Sequence, residues 1–170
     1  MNLEKFSRIA MIAAIYTALC FIPVLSALAF GQIQVRIAEA LTMLPLIYQP
    51  SIYGVTLGCF LANMIGAMTG INPTGLLDAV LGTAATFMAA YCTWKLKDKK
   101  IKGVPVFAML MPALFNFFIV GGELAYLFMP DNFILGLLIN GTYVAIGEII
   151  AVMIGYILVK RLEKTNIFSE

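Results

Sequence analysis

Charge in this chain is confined to a few short stretches, and that confinement limits what it can fold into. Residues 9–35, 40–77, 79–94 and 103–122 carry no Asp, Glu, Lys or Arg, and 132–159 carry only Glu148. Of the 170 residues 12% are charged and 62% hydrophobic, with a mean hydropathy of +0.96. A soluble domain has about 25% charged residues to face water. This inventory cannot build such a surface, which excludes an ordinary soluble enzyme. Eleven basic residues against nine acidic ones are too balanced for a nucleic-acid partner. The chain reads as an all-α integral membrane protein. A hydrocarbon core needs ~20 helical residues per span, so there is room for about six or seven spans and no extramembrane domain. Residues 1–170 are expected to form a single membrane domain.

Missing residue types narrow the chemistry. There is no histidine, and Cys20, Cys59 and Cys92 lie far apart in apolar surroundings. That excludes zinc sites built on His or Cys pairs, and Ser-His-Asp triads. The cysteines read as small buried hydrophobes. No metal site and no catalytic residue is expected. There is no phosphate-binding Gly-x-x-x-x-Gly-Lys-Ser/Thr loop, so the chain cannot hydrolyse ATP by itself.

The charges also punctuate the spans. The 40–77 run is too long for one helix and breaks at Tyr48-Gln49-Pro50-Ser51, because proline restricts its neighbour and cannot continue a helix. Six helices result, over about 8–29, 33–48, 51–69, 75–95, 103–122 and 133–160. The second is short, with Arg36 and Glu39 in its first turns, so a re-entrant or broken segment is the alternative there. Basic clusters at Lys5/Arg8, at Lys95 to Lys102, and at Lys160/Arg161/Lys164 all belong on the cytoplasmic side. Even numbers of spans must separate them, and six spans provide four and then two. Both termini are then cytoplasmic. Ala27-Leu28-Ala29 matches a signal-cleavage pattern, but the apolar stretch before it is too long and the parity needs that helix, so its retention is expected.

Small residues recur every fourth position at Ala10/Ala14/Ala18, Gly54/Gly58/Ala62/Gly66 and Gly147/Ala151/Gly155. Such stripes let helices approach closely in lipid. In the third and sixth helices they read as internal packing. The first-helix stripe fits either internal packing or another membrane subunit.

Six ionisable residues remain away from the basic edges: Arg36, Glu39, Asp78, Glu123, Asp131 and Glu148. A charge at the centre of a membrane helix costs about 2.5–3.5 kcal/mol or more, so such residues tend to be functional. Asp131, after Met129-Pro130, reads as an exposed loop residue. The others, with Asn63, Asn116 and Asn140, are expected in the outer half, with Glu123 closing the fifth helix and Asn116 and Glu148 nearer the midplane. Asn116 and Glu123 fall within about 20° of one helical face. Phe30, Phe115, Phe118, Tyr126 and Tyr143 are available as aromatic walls. Each has a structural reading too. Asp78 suits a helix N-terminal dipole, Arg36 and Glu39 an i,i+3 ion pair, Glu123 an interfacial position, and the asparagines interhelical hydrogen bonds. One cation against four carboxylates favours protonation or a ligand rich in N–H donors or positive charge. A guanine-like N1–H and 2-amino edge fits a carboxylate, and Asn supplies a donor and an acceptor for the other edge.

The segment Gln34-Val35-Arg36-Ile37-Ala38-Glu39-Ala40-Leu41-Thr42 continuing to Pro45 resembles the signature of the QueT family. Asp78 with Leu81-Gly82-Thr83-Ala84-Ala85-Thr86, and Asn116 through Gly122-Glu123-Leu124-Ala125, resemble it as well. The resemblance covers nearly the whole chain. It implies a substrate-binding (S) component of an energy-coupling factor (ECF) transporter in the plasma membrane of a bacterium. The fold would be the six-transmembrane-helix S-component bundle, and the substrates queuosine precursors, 7-deazaguanines such as 7-aminomethyl-7-deazaguanine. It further implies a transmembrane coupling subunit and two ATPase partners that use ATP, no cofactor on this chain, and docking through Ala10, Ala14 and Ala18. On this reading Glu39 or Glu148 takes the guanine edge and Asp78 or Glu123 an aminomethyl group. Asn63, Asn116, Asn140 and Tyr143 complete the site, and Arg36 orients Glu39. The alternative is a stand-alone proton-coupled carrier for a small cationic or nucleobase-like solute, with Glu148 as relay. A purely structural subunit would leave the embedded charges without a purpose.

Overall fold

The uncharged runs fold as helices that end at glycines, prolines and charges. The computed structural model describes residues 3–22, 36–165 and 167–168. Five α-helices, α1 (Leu3–Phe21), α2 (Ser51–Thr69), α3 (Leu76–Leu96), α4 (Val106–Phe128) and α5 (Phe133–Leu162), accompany a 3-10 helix, η1 (Ile37–Leu46). The third to sixth predicted spans are α2 to α5, and each is long and apolar enough to cross a membrane. The chain is a multi-pass, all-helical membrane protein. Among the described residues the only strand-like pairing is the Ile101–Val104 bridge in the α3–α4 turn.

The end of α4 differs from expectation. α4 runs to Phe128 rather than ending near 122, because nothing breaks it before Met129-Pro130. Glu123 therefore sits inside the helix instead of closing it. α2 ends at Thr69, as expected: Gly70 adopts φ +73°, and Ile71 and Asn72 both donate backbone N–H to Gly66 O at 3.0 Å. This left-handed cap satisfies the last carbonyls and turns the chain towards α3.

The second segment departs furthest from a regular span. It is a ten-residue 3-10 helix, far longer than the usual three or four residues. With a rise of about 2 Å per residue it covers ~20 Å, where an α-helix of the same length would cover ~15 Å. Ala38 to Pro45 are all buried, and η1 touches all five α-helices. Irregular backbone is tolerated at membrane depth only when protein surrounds it, and here it does. α1 to α5 pack each against the next in an arc, and η1 fills the inside.

Glycines set these close approaches. A Cβ on Gly58 would come within 2.6 Å of Tyr16 Cβ, and one on Gly121 within 2.5 Å of Gly141 Cα. The α2 stripe Gly54/Gly58/Ala62/Gly66 and the α5 stripe Gly147/Ala151/Gly155 are buried, so both serve internal packing. Ala10, Ala14 and Ala18 are instead exposed, because α1 turns Ile9, Ile12, Ala13, Tyr16 and Cys20 inward.

The three basic clusters gather at one end. Arg8 lies 5.8 Å from the Tyr48 ring, which stacks on Phe168 at 4.9 Å. Ile47, Lys97 and Lys160 line one cavity there. Both ends of the described chain thus lie near the same end of the bundle.

Candidate substrate-binding site

Deep in the bundle, away from that basic end, four carboxylates and one guanidinium are buried together. Arg36 is 7% exposed, Glu39 2%, Asp78 0%, Glu123 4% and Glu148 5%. They come from η1, α3, α4 and α5. Arg36 is close enough to all four carboxylates to interact with them electrostatically.

Arg36, the N-cap of η1, forms its ion pair with Asp78 Oδ2, in the first turn of α3. The same oxygen accepts a hydrogen bond from Asn72 Nδ2 at 3.0 Å. Asn72 Oδ1 in turn accepts from the Thr74 backbone N–H (3.2 Å) and hydroxyl (2.7 Å). Asn63 of α2 donates to the Asp78 carbonyl at 2.8 Å. Gly82 makes this possible: a Cβ there would overlap Asp78 Oδ1 and sit 3.0 Å from Asn63 Nδ2. The expected i,i+3 pairing of Arg36 with Glu39 is thus replaced by a long-range pair. The first-turn position of Asp78 suits the α3 dipole as well.

Glu39 is held by other donors. Its Oε1 accepts from the hydroxyls of Tyr16 and Thr86, the latter at 3.2 Å. Thr86 Oγ1 also lies 3.3 Å from Cys59 Sγ. A hydroxyl has one proton, so with that proton on Glu39 the weak S–H donor of Cys59 is left to complete the chain.

What remains is a set of open acceptors. Glu39 Oε2, Asp78 Oδ1, Glu148 Oε2, both oxygens of Glu123 and Asn63 Oδ1 are buried without a hydrogen-bond donor among the described residues. Leaving buried polar groups unpaired costs about 1–3 kcal/mol each, more for charged groups. All of these atoms are acceptors when the acids are ionised, so the group that satisfies them brings N–H donors or positive charge.

A model of the QueT transporter family matches residues 6–164. The chain belongs to the QueT transporter family. That family is one of transporters, not enzymes. Over 57 residues the chain is 39% identical to the queuosine precursor transporter QueT of Lactococcus lactis subsp. cremoris (strain MG1363). The match covers 34% of this chain and 34% of that protein, about a third of its length. No solved structure is a significant match.

Within this QueT chain the structure brings together Arg36, Glu39, Asn63, Asp78, Glu123 and Glu148. Asn116 is buried on the Glu123 face, with Nδ2 donating to Pro112 O of its own helix at 3.0 Å. Asn140 is half-buried and donates back to Gly136 O at 2.9 Å. Tyr143 is 44% exposed and points away from the cluster. The helical period explains both: at 100° per residue Asn140 lies about 80° and Tyr143 about 140° from the Glu148 direction. Phe118 and Tyr126 are likewise on the outer surface, and Phe115 is half-buried. Phe30 and the Ala27-Leu28-Ala29 stretch lie outside the described residues. Asp131 is exposed in the Pro130–Asn132 turn, as expected.

Tyr16, Thr86, Asn72 and Thr74 were not singled out as site residues by sequence reasoning. Asn72 and Thr74 had a readable signal, since Asn commonly caps the backbone two residues on in a turn. Tyr16 is the only tyrosine in the first charge-free run. Nothing in the sequence pairs it with Glu39.

Proposed function

We propose that this chain is the substrate-binding subunit of an ATP-driven ECF importer in a bacterial plasma membrane. It captures a queuosine precursor, a 7-deazaguanine such as 7-aminomethyl-7-deazaguanine, from outside. The observation that carries this reading is the buried set of acceptor atoms, on Glu39, Asp78, Glu123, Glu148 and Asn63, that have no donor among the described residues. A deazaguanine edge brings N1–H and a 2-amino group to one carboxylate. An aminomethyl ammonium brings three further donors and a charge to another. The name of the Lactococcus relative points to the same substrates.

The basic end faces the cytoplasm, with both termini, and the acceptor cluster opens towards the outside. The exposed Ala10, Ala14 and Ala18 form the surface that a transmembrane coupling subunit packs against, and two ATPases supply the ATP hydrolysis this chain lacks. Calorimetric titration of the purified protein with deazaguanines, guanine and vitamins tests the substrate. Binding confined to the deazaguanines is expected, and no heat from any of them would refute the assignment. Uptake should require ATP and the co-expressed partners. Glu148, with one oxygen unpartnered, favours the second reading, a stand-alone proton-coupled carrier. Uptake into proteoliposomes of this chain alone, driven by a pH gradient and lost in Glu148→Gln, would establish that reading instead.

A further inference from the structure

We propose that the basic end of the bundle carries a binding site for the phosphate of an anionic phospholipid headgroup, between the α3–α4 turn and the end of α5. A cavity of about 230 Å³ opens there. Lys97 and Lys100 enter its wall from one side and Lys160 from the other, with Asp98 and Glu163 as the acidic residues of the lining. Glu163 is held by Lys160 in an exposed pair at 3.3 Å, a contact of the kind that contributes about 1 kcal/mol or less and that a phosphate can displace. The lining thus carries three lysines against two carboxylates, a net positive charge.

The turn holds these lysines in place. Ile101 and Val104 exchange backbone hydrogen bonds at 2.8 and 3.0 Å, and Lys102 (φ +49°) and Gly103 (φ +83°) close the loop between them. The mainly polar lining also includes Ile47, Pro105 and the buried Val159. A phosphate on the lysines, with glycerol carbons against these three residues, would use both kinds of group.

The aromatic residues at this end favour a lipid over a soluble phosphate. Lys95 lies 4.6 Å from the Trp94 ring and 5.6 Å from Tyr91, and Lys160 lies 5.9 Å from Tyr156. Aromatic rings paired with lysines at helix ends mark the headgroup level of a bilayer. Clustered lysines at that level attract anionic lipids, with ~1 kcal/mol per residue, or about fivefold in affinity.

Native mass spectrometry of the full chain in neutral detergent, with equal amounts of phosphatidylglycerol and phosphatidylcholine, tests the site. Retention of phosphatidylglycerol over phosphatidylcholine is expected. The cavity variant Lys97→Gln/Lys100→Gln/Lys160→Gln should lose that preference at least tenfold. A control with the same charge loss outside the cavity, Lys99→Gln/Arg161→Gln/Lys164→Gln, should keep most of it, and thermal melting verifies that both fold. Equal losses in the two variants, or no preference in the wild type, would overturn the site. Displacement of the lipid by inorganic phosphate at similar concentration would make it a soluble-anion site instead. If the cavity variant keeps its lipid preference but no longer assembles with partner proteins, the lysines serve an acidic protein surface and the lipid assignment falls.

Discussion

Asp78 and Glu123 are carboxylates of adjacent helices, equally hidden from solvent, and they are treated in opposite ways. Asp78 has Arg36 and Asn72 on one oxygen and Asn63 on its backbone carbonyl. Neither Glu123 oxygen has a well-formed hydrogen bond from a described residue; the Thr74 hydroxyl is near it but donates to Asn72 Oδ1. A buried charge with a guanidinium partner is part of the architecture, because removing either member strands the other in a low-dielectric interior. A buried acid with no partner adds nothing to the fold and is instead open to whatever enters. On the proposed function, the contrast separates a residue that builds the site from one that meets the ligand.

Arg36→Met should produce the largest effect. It leaves Asp78 uncompensated among three other carboxylates, and about 3–5 kcal/mol of stability should be lost, read as a fall in melting temperature in detergent. An unchanged melt would mean that the pair is not structural.

Glu123→Gln should sharpen the contrast by doing the reverse. Its melting temperature should hold or rise, while affinity for 7-aminomethyl-7-deazaguanine falls by about 1.5–3 kcal/mol, the usual worth of a charge-assisted hydrogen bond. Titration of the cyano analogue alongside should register a much smaller loss. Equal losses for amine and nitrile would remove Glu123 from recognition of the amine.

Gly82→Ala probes what lets Asp78 be seated at all. The added methyl meets Asp78 Oδ1 and Asn63 Nδ2, and overpacking of this kind costs about 1–3 kcal/mol. Thermal melting of the single variant measures it, and no shift would show that the cluster relaxes freely. Tyr143→Ala should change ligand affinity least, by less than about 0.5 kcal/mol, since the ring faces outward. A tenfold loss by calorimetry would return Tyr143 to the site.

Much of the buried cluster that forms the candidate site was legible because charge is so scarce. A carboxylate inside an apolar run is conspicuous, and Glu39, Asp78, Glu123 and Glu148 stood out as a group on that ground alone. Their partners did not. Sequence proximity favoured Arg36 with Glu39, three residues apart, whereas the real partner of Arg36 lies 42 residues on. Tyr16 and Thr86 are separated from Glu39 by 23 and 47 residues, and no local pattern encodes such contacts. Tyr143 and Asn140 were misplaced for a different reason: the rotational setting of α5 follows from packing at Gly141 and Gly155, not from depth.

By itself the sequence determined that this chain lives in a bilayer, how its charge clusters divide between two ends, and which acidic residues are out of place there. Those conclusions need only hydration free energy and chain length, which act residue by residue. The tertiary structure decided that the second segment is a buried 3-10 strut, that two small-residue stripes are spent inside while the one on α1 stays exposed, and that Arg36 belongs to Asp78. Each depends on which helix faces turn towards one another. That choice is made by close packing across the whole bundle, where a single glycine–glycine contact settles what no local pattern can.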